Sequence, residues 1–123
     1  AQPRVDGTKL ALVGASLGGI MAIAGNGFEE VHTSVALSAP RTGIHQLFPD
    51  MTLKNVFYIV GENDIHENPN MNFPAEAEHM YNQTDEPRKL TIVPGTSRHG
   101  TDLLEMAGVN EAIREWINGS FDE

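Results

Sequence analysis

The chain has no cysteine among its 123 residues. Disulfides, thiolate catalysis and cysteine-ligated metals are thereby excluded, while the redox compartment stays open. Basic residues are scarce: 8 Lys and Arg stand against 17 Asp and Glu, a formal net charge of -9. Like charge repels polyphosphates and anionic lipid, so this balance argues against nucleic acid and against a membrane surface, and suits solubility. No apolar run approaches the ~20 residues of a membrane span, and no signal peptide is visible. Neither G-x-x-x-x-G-K-[ST] nor G-x-G-x-x-G occurs, which argues against nucleotide binding, and nothing calls for another cofactor. The histidines lack ligand spacing and the carboxylates are scattered, so no metal site is expected. Nothing assigns a compartment. The chain opens at Ala1 rather than Met, which suggests that residues precede it.

What the chain does carry is a strand, a tight turn and a helix in one stretch, residues 10–20. Leu10, Ala11, Leu12 and Val13 show no polar alternation, the pattern of a strand buried on both faces in a parallel sheet. Ile20, Met21, Ile23 and Ala24 continue as the inner face of a helix. Between them Gly14-x-Ser16-x-Gly18 matches the nucleophile elbow, a turn so tight that small residues are expected two positions either side of the serine. The pentapeptide alone arises by chance in about one chain in twenty or thirty of this length, so its flanking strand and helix are what make it specific. The turn would hold the Ser16 hydroxyl outward at a helix N-terminus. There the Leu17 N–H faces any negative charge developing on a substrate carbonyl.

With 40% hydrophobic residues the chain can build one core, and 123 residues suffice for one small domain, not two. Residues 1–8 form a polar lead-in. The elbow helix is expected over 17–24, stopping at Gly25-Asn26-Gly27, and a second strand over 31–37. Residues 41–54 form a short helix or ordered loop, too short for a bulky lipid-binding lid. Within it Ile44, Leu47, Phe48 and Met51 either line an acyl pocket or fill the core, core filling being the simpler use. Residues 56–60 are β-branched and aromatic and make a third strand, followed by a polar loop to Asn70. A helix is expected over 73–83 with Pro74 in its first turn, then a fourth strand over 90–93. Asp102 and Glu105 resemble a capping box opening 103–106. Val109, Ile113, Trp116 and Ile117 share a helix face, and the tail from Asn118 is expected to fray. Strands alternating with helical segments predict an α/β fold, a parallel sheet of about four strands flanked by helices.

Reactive groups in such sheets gather at the C-terminal ends of the strands. Three ends carry them here: Ser16 after the first strand, Asp64 after the third, His99 after the fourth. A serine hydroxyl needs a base to take its proton, and the histidine that does so needs a carboxylate to fix its tautomer and stabilise its cation. The order Ser, Asp, His is the one associated with α/β-hydrolases. Among the other histidines, His32 is read as lying before its strand, His45 in the irregular segment, His79 on a helix surface and His66 as solvated. Glu62 is the alternative acid, and Asp102 is more simply a helix cap.

Over residues 9–116 the chain resembles the C-terminal half of an α/β-hydrolase. Leu12-Val13-Gly14-Ala15-Ser16-Leu17-Gly18-Gly19 stands as the elbow, Gly61-Glu62-Asn63-Asp64 as the acid turn, and Arg98-His99-Gly100-Thr101-Asp102-Leu103-Leu104 as the histidine loop. The resemblance implies an acyl-transfer hydrolase working through an acyl-enzyme on Ser16. An esterase or dienelactone-hydrolase-like enzyme acting on a small carboxylic ester is the first expectation, a peptidase or thioesterase of the same fold the second. His99 would be base and then acid, Asp64 would orient it, and the Leu17 N–H would be one oxyanion donor, with no cofactor.

The pattern departs from that family on its N-terminal side. Members have several strands before the elbow, and a loop among them supplies the second oxyanion N–H; loss of one such donor costs about 3 kcal/mol. The elbow strand, normally central, would become an edge with unpaired backbone groups. The chain is therefore expected either to be the C-terminal part of a longer hydrolase or to pair with a second chain along Lys9 to Val13. The competing class is a non-catalytic or inactive fragment that keeps the three side chains.

Overall fold

The computed structural model describes residues 10–41, 43–67 and 70–121, without the side chains of residues 44 and 45. The expected lead-in, Lys9 and the Ile44 side chain lie outside the described residues. Strand propensity is strongest in β3 (Lys54–Gly61), and Val56 to Val60 are all fully buried. Alternation along β3 separates two cores. Val56, Tyr58 and Val60 join Ala36, Ile23, Phe73, Ala77 and Met80 on one side, while Phe57 and Ile59 join Val35, Leu37, Leu103, Val109 and Ile113 on the other.

β2 (Val31–Leu37) and β6 (Asp85–Val93) flank β3, and β1 (Leu10–Ala15) lies outside β2, giving a parallel sheet of order β1-β2-β3-β6. α1 (Leu17–Gly25) and α3 (Phe73–Asn82) cover the first core, and α4 (Val109–Phe121) with a 3-10 helix (Gly100–Glu105) covers the second. The Asn72 side chain caps α3 by accepting from the Ala75 N–H at 3.1 Å, with Pro74 in the first turn. The result is an α/β arrangement of a four-stranded parallel sheet between helices. Among the described residues no helix is long and apolar enough to cross a membrane.

Several local expectations are corrected. β1 is a sheet edge, so Leu10 and Val13 are exposed rather than buried on both faces. Leu47, at the end of the one-turn α2 (Ile44–Leu47), and Phe48 are 73% and 57% exposed, so they do not fill the core; α1 and α3 already cover that face, and of Leu47, Phe48 and Met51 only Met51 packs against it. The loop before Asn70 contains half of a small antiparallel ribbon, β4 (Ile65–Glu67) with β5 (Asn70–Asn72). β6 begins at Asp85, because an edge strand tolerates the polar run and Pro87 that hide its period. Asp102 is not the cap of that segment: it lies exposed inside the 3-10 helix, whose N-cap is His99 with no side-chain cap bond. The chain after Asn118 stays helical to Phe121, because Ser120 is buried and donates to the Trp116 carbonyl at 2.8 Å, while the Trp116 indole N–H donates to Thr33 Oγ1 at 2.8 Å.

Tyr58 offers a pH-dependent check on the first core. Its hydroxyl donates to Thr84 Oγ1 at 2.6 Å, since the Thr84 hydroxyl is itself committed to the Met80 carbonyl at 2.7 Å. Burial pushes the phenol up from 10.0 to about 12, the Thr84 hydrogen bond offsetting only part of the shift. Below pH ~10 the phenol is protonated folded or unfolded; between about 10 and 12 only the unfolded chain releases the proton, so folding loses up to about 3 kcal/mol across that window. Denaturant titrations at stepped alkaline pH should therefore show this loss in the natural chain and not in Tyr58→Phe, which should start about 1 kcal/mol less stable at neutral pH.

Candidate active site

The site starts at the end of β1. The Ser16 N–H donates to the Leu37 carbonyl at 2.8 Å, and Ser16 then takes φ 55° and ψ -116°. A non-glycine residue held in so sparse a region costs on the order of 1–3 kcal/mol, which the surrounding ladder and helix must outweigh. The kink turns the chain straight into α1, where the Gly19 and Ile20 N–H groups donate to the Ser16 carbonyl at 2.9 and 3.2 Å, while the Leu17 N–H at the first helical position has no acceptor inside the helix. Room for this turn comes from two glycines. A Cβ on Gly14 would lie 2.0 Å from the Gly18 carbonyl oxygen, and one on Gly19 would lie 2.8 Å from the Ala39 Cβ. A Cβ on Gly18 would meet nothing within 4 Å, so the expectation that both glycines of the pentapeptide relieve crowding holds for Gly14 and is corrected for Gly18.

Above the same end of the sheet, Ser16 meets two side chains from distant loops. His99 Nε2 lies 3.0 Å from Ser16 Oγ, and His99 Nδ1 lies 2.6 Å from Asp64 Oδ2. Asp64 is fully buried, whereas the His99 side chain is 33% exposed. An ionised carboxylate only accepts, so Nδ1 carries the ring proton and Nε2 is left to accept from the serine hydroxyl. The arrangement can move the Ser16 proton to His99 and hold the resulting imidazolium against a buried carboxylate.

Three further residues shape the site and have no motif to announce them. Ser38, at φ 54° beyond β2, accepts from the Gly100 N–H at 2.8 Å and so pins the loop that carries His99. Phe73, at the start of α3, packs its ring edgewise on His99 at a centroid distance of 4.6 Å and on His66 at 5.7 Å, while its N–H donates to the Asp64 carbonyl at 3.1 Å. His66 donates from Nε2 to Asp64 Oδ1 at 2.8 Å. His66 is half exposed, in keeping with its reading as a solvated side chain, yet it also holds the second oxygen of Asp64, which that reading does not include. Two residues apart in extended backbone, Asp64 and His66 point their side chains the same way, but that spacing alone marks no site.

The remaining candidates stand apart. Glu62 Oε1 accepts from the Gly95 N–H at 2.9 Å, which makes it a brace between two turns. His32 lies within β2 near its start, not before it, and bonds the Ser120 carbonyl at the opposite end of the strand from Ser38. His79 sits in the last turn of α3, and the His45 side chain is outside the described residues. Asp64, His66 and His99 each offer a ligand atom, all within 4.8 Å of one another, a grouping that spacing in the sequence conceals.

Crowding at the elbow makes a direct prediction. Gly14→Ala should lose about 3 kcal/mol, since backbone atoms must move to admit the methyl. Gly18→Ala should be neutral or gain up to about 1 kcal/mol from helix propensity. Midpoints of urea unfolding for the two variants check both signs. Comparison with known proteins adds nothing to this geometry: no family model, no curated protein and no solved structure matches the chain.

Proposed function

We propose that this chain is a serine hydrolase of the α/β-hydrolase type, cleaving a small carboxylic ester through an acyl-enzyme on Ser16. The observation that carries the reading is the unbroken relay from Ser16 Oγ to His99 at 3.0 Å and from His99 to Asp64 at 2.6 Å. Its members are 83 and 35 residues apart in sequence, so no local turn preference brings them together. In the first half-reaction Ser16 Oγ attacks the ester carbonyl while His99 Nε2 takes its proton. The Leu17 N–H donates to the developing oxyanion, and His99 then protonates the departing alcohol. Water, deprotonated by the same nitrogen, hydrolyses the acyl-enzyme and returns the proton to Ser16. Asp64 keeps its charge throughout and stabilises the imidazolium. Leu17 and Met21, one turn apart on α1 and 74% and 69% exposed, offer an apolar surface beside the nucleophile that suits a modest acyl or alcohol group.

A second reading is favoured by one observation: among the described residues no strand pairs with the outer edge of β1. On it the chain is a fragment, inactive alone, whose elbow strand pairs with further polypeptide that also brings the second oxyanion donor. An active-site-directed fluorophosphonate separates the two. The hydrolase reading expects labelling of the natural chain, none in Ser16→Ala, and a fall of about 10⁴-fold in ester turnover in His99→Ala and Asp64→Asn. A folded chain that takes no label would reject it and leave the fragment.

A further inference from the structure

We propose that Asp64, His66 and His99 form a binding site for a divalent transition-metal ion, Zn²⁺ foremost, and that the bound ion disconnects His99 from Ser16. The site goes beyond the hydrolase reading and does not need it, because it rests on donor chemistry alone. Donor atoms of the three side chains lie within 4.8 Å of one another, and the two His–Asp contacts are already 2.8 and 2.6 Å. Zinc–nitrogen and zinc–oxygen bonds of about 2.0–2.2 Å draw such atoms to within about 3.5 Å, a contraction that the half-exposed His66 has room to supply.

Charge and access favour the same occupant. Asp64 is a fully buried carboxylate, and among the described residues no lysine or arginine pairs with it, so a cation between the two imidazoles would meet an uncompensated charge. Two imidazole nitrogens and one carboxylate oxygen suit Zn²⁺, Co²⁺ or Ni²⁺ and do not suit Mg²⁺ or Ca²⁺, which take oxygen ligands. His66 and His99 are 52% and 33% exposed, which gives the ion a path from solvent and leaves a coordination position for water. His66 serves the site through the same Nε2 that now donates to Asp64 Oδ1, and His99 through Nδ1.

The consequence for Ser16 follows from proton bookkeeping on the ring. Each imidazole must ligate through a lone pair, so the protons on His66 Nε2 and His99 Nδ1 are lost to solvent and one is gained on the other nitrogen of each ring, with no net change. His99 Nε2 then carries a proton and can no longer accept one from Ser16 Oγ.

Isothermal titration of the full chain with ZnCl₂ tests the site. Saturable binding of one ion is expected, weakened at least tenfold in His66→Ala and in His66→Gln, unchanged in His79→Ala, and not displaced by excess MgCl₂ or CaCl₂. Circular dichroism of each variant shows that it is folded. No saturable binding, or binding that both His66 variants keep in full, overturns the proposal. Fluorophosphonate labelling with and without ZnCl₂ reads the second clause: slowing in the natural chain supports it, and labelling indifferent to a bound ion refutes it. A chain that binds Zn²⁺ through His66 but never labels would sink the hydrolase reading and leave the metal site standing.

Discussion

Everything above the sheet rests on the register of its parallel ladders. Ala15 faces Leu37, Leu37 faces Ile59 and Ile59 faces Thr91, so β1, β2 and β3 finish at nearly one level. The first residue beyond a strand is then caught by its neighbour: Ser16 N–H on the Leu37 carbonyl, Ser38 N–H on the Ile59 carbonyl, Glu62 N–H on the Val93 carbonyl. A slip of one residue would turn Val56, Tyr58 and Val60 into the wrong core and shift a strand end by about 3.3 Å, enough to break a 3.0 Å contact with His99. Burial on both faces of β3 is what forbids the slip.

On that platform local strain and a buried charge are held in place. Ser16 and Ser38 both take positive φ at strand ends, and each is anchored by a ladder hydrogen bond that would be lost if the residue relaxed. Gly14 and Gly19 let α1 press against β1 and against Ala39, so the Ser16 kink has no room to unwind. Asp64 is the counterpart in charge. A carboxylate removed from water needs donors on both oxygens, and His66 and His99 supply them while Phe73 closes the side between the two rings. The same three groups would serve as a ligand set once each ring gave up the proton it now directs at Asp64, because a hydrogen bond and a coordinate bond both bring ring nitrogens and carboxylate oxygens together around one point.

Particular residues show how far a sequence carries a reader here. Ser16, Asp64 and His99 could be singled out because each sits just past a strand whose apolar run is plain, and a parallel sheet gathers such ends. Ser38, Phe73 and His66 could not. Ser38 looks like any residue closing a strand, Phe73 like the first apolar position of a helix, and His66 like part of a polar loop; the roles of Ser38 and Phe73 are made by residues 62 and 26 positions away, and that of His66 by Asp64, whose burial only the folded chain creates. Leu47 and Phe48 mislead in the opposite direction, since apolar spacing says nothing about whether a face is already covered.

The sequence by itself determined the order of the main strands and helices: apolar β-branched runs for the strands, Gly14 for the sharp turn, Asn72 and Pro74 for the start of α3, and a formal charge of -9. These are decisions made within a few residues, by dihedral preference and side-chain periodicity. Only the tertiary structure decided that Leu47 and Phe48 stay outside the core, that the chain after Asn118 is helical, and that one buried carboxylate is shared by two histidines. Those outcomes depend on which faces remain uncovered once the sheet has formed, and on hydrogen bonds across tens of residues, such as Trp116 to Thr33 and Gly100 to Ser38, that no local pattern encodes.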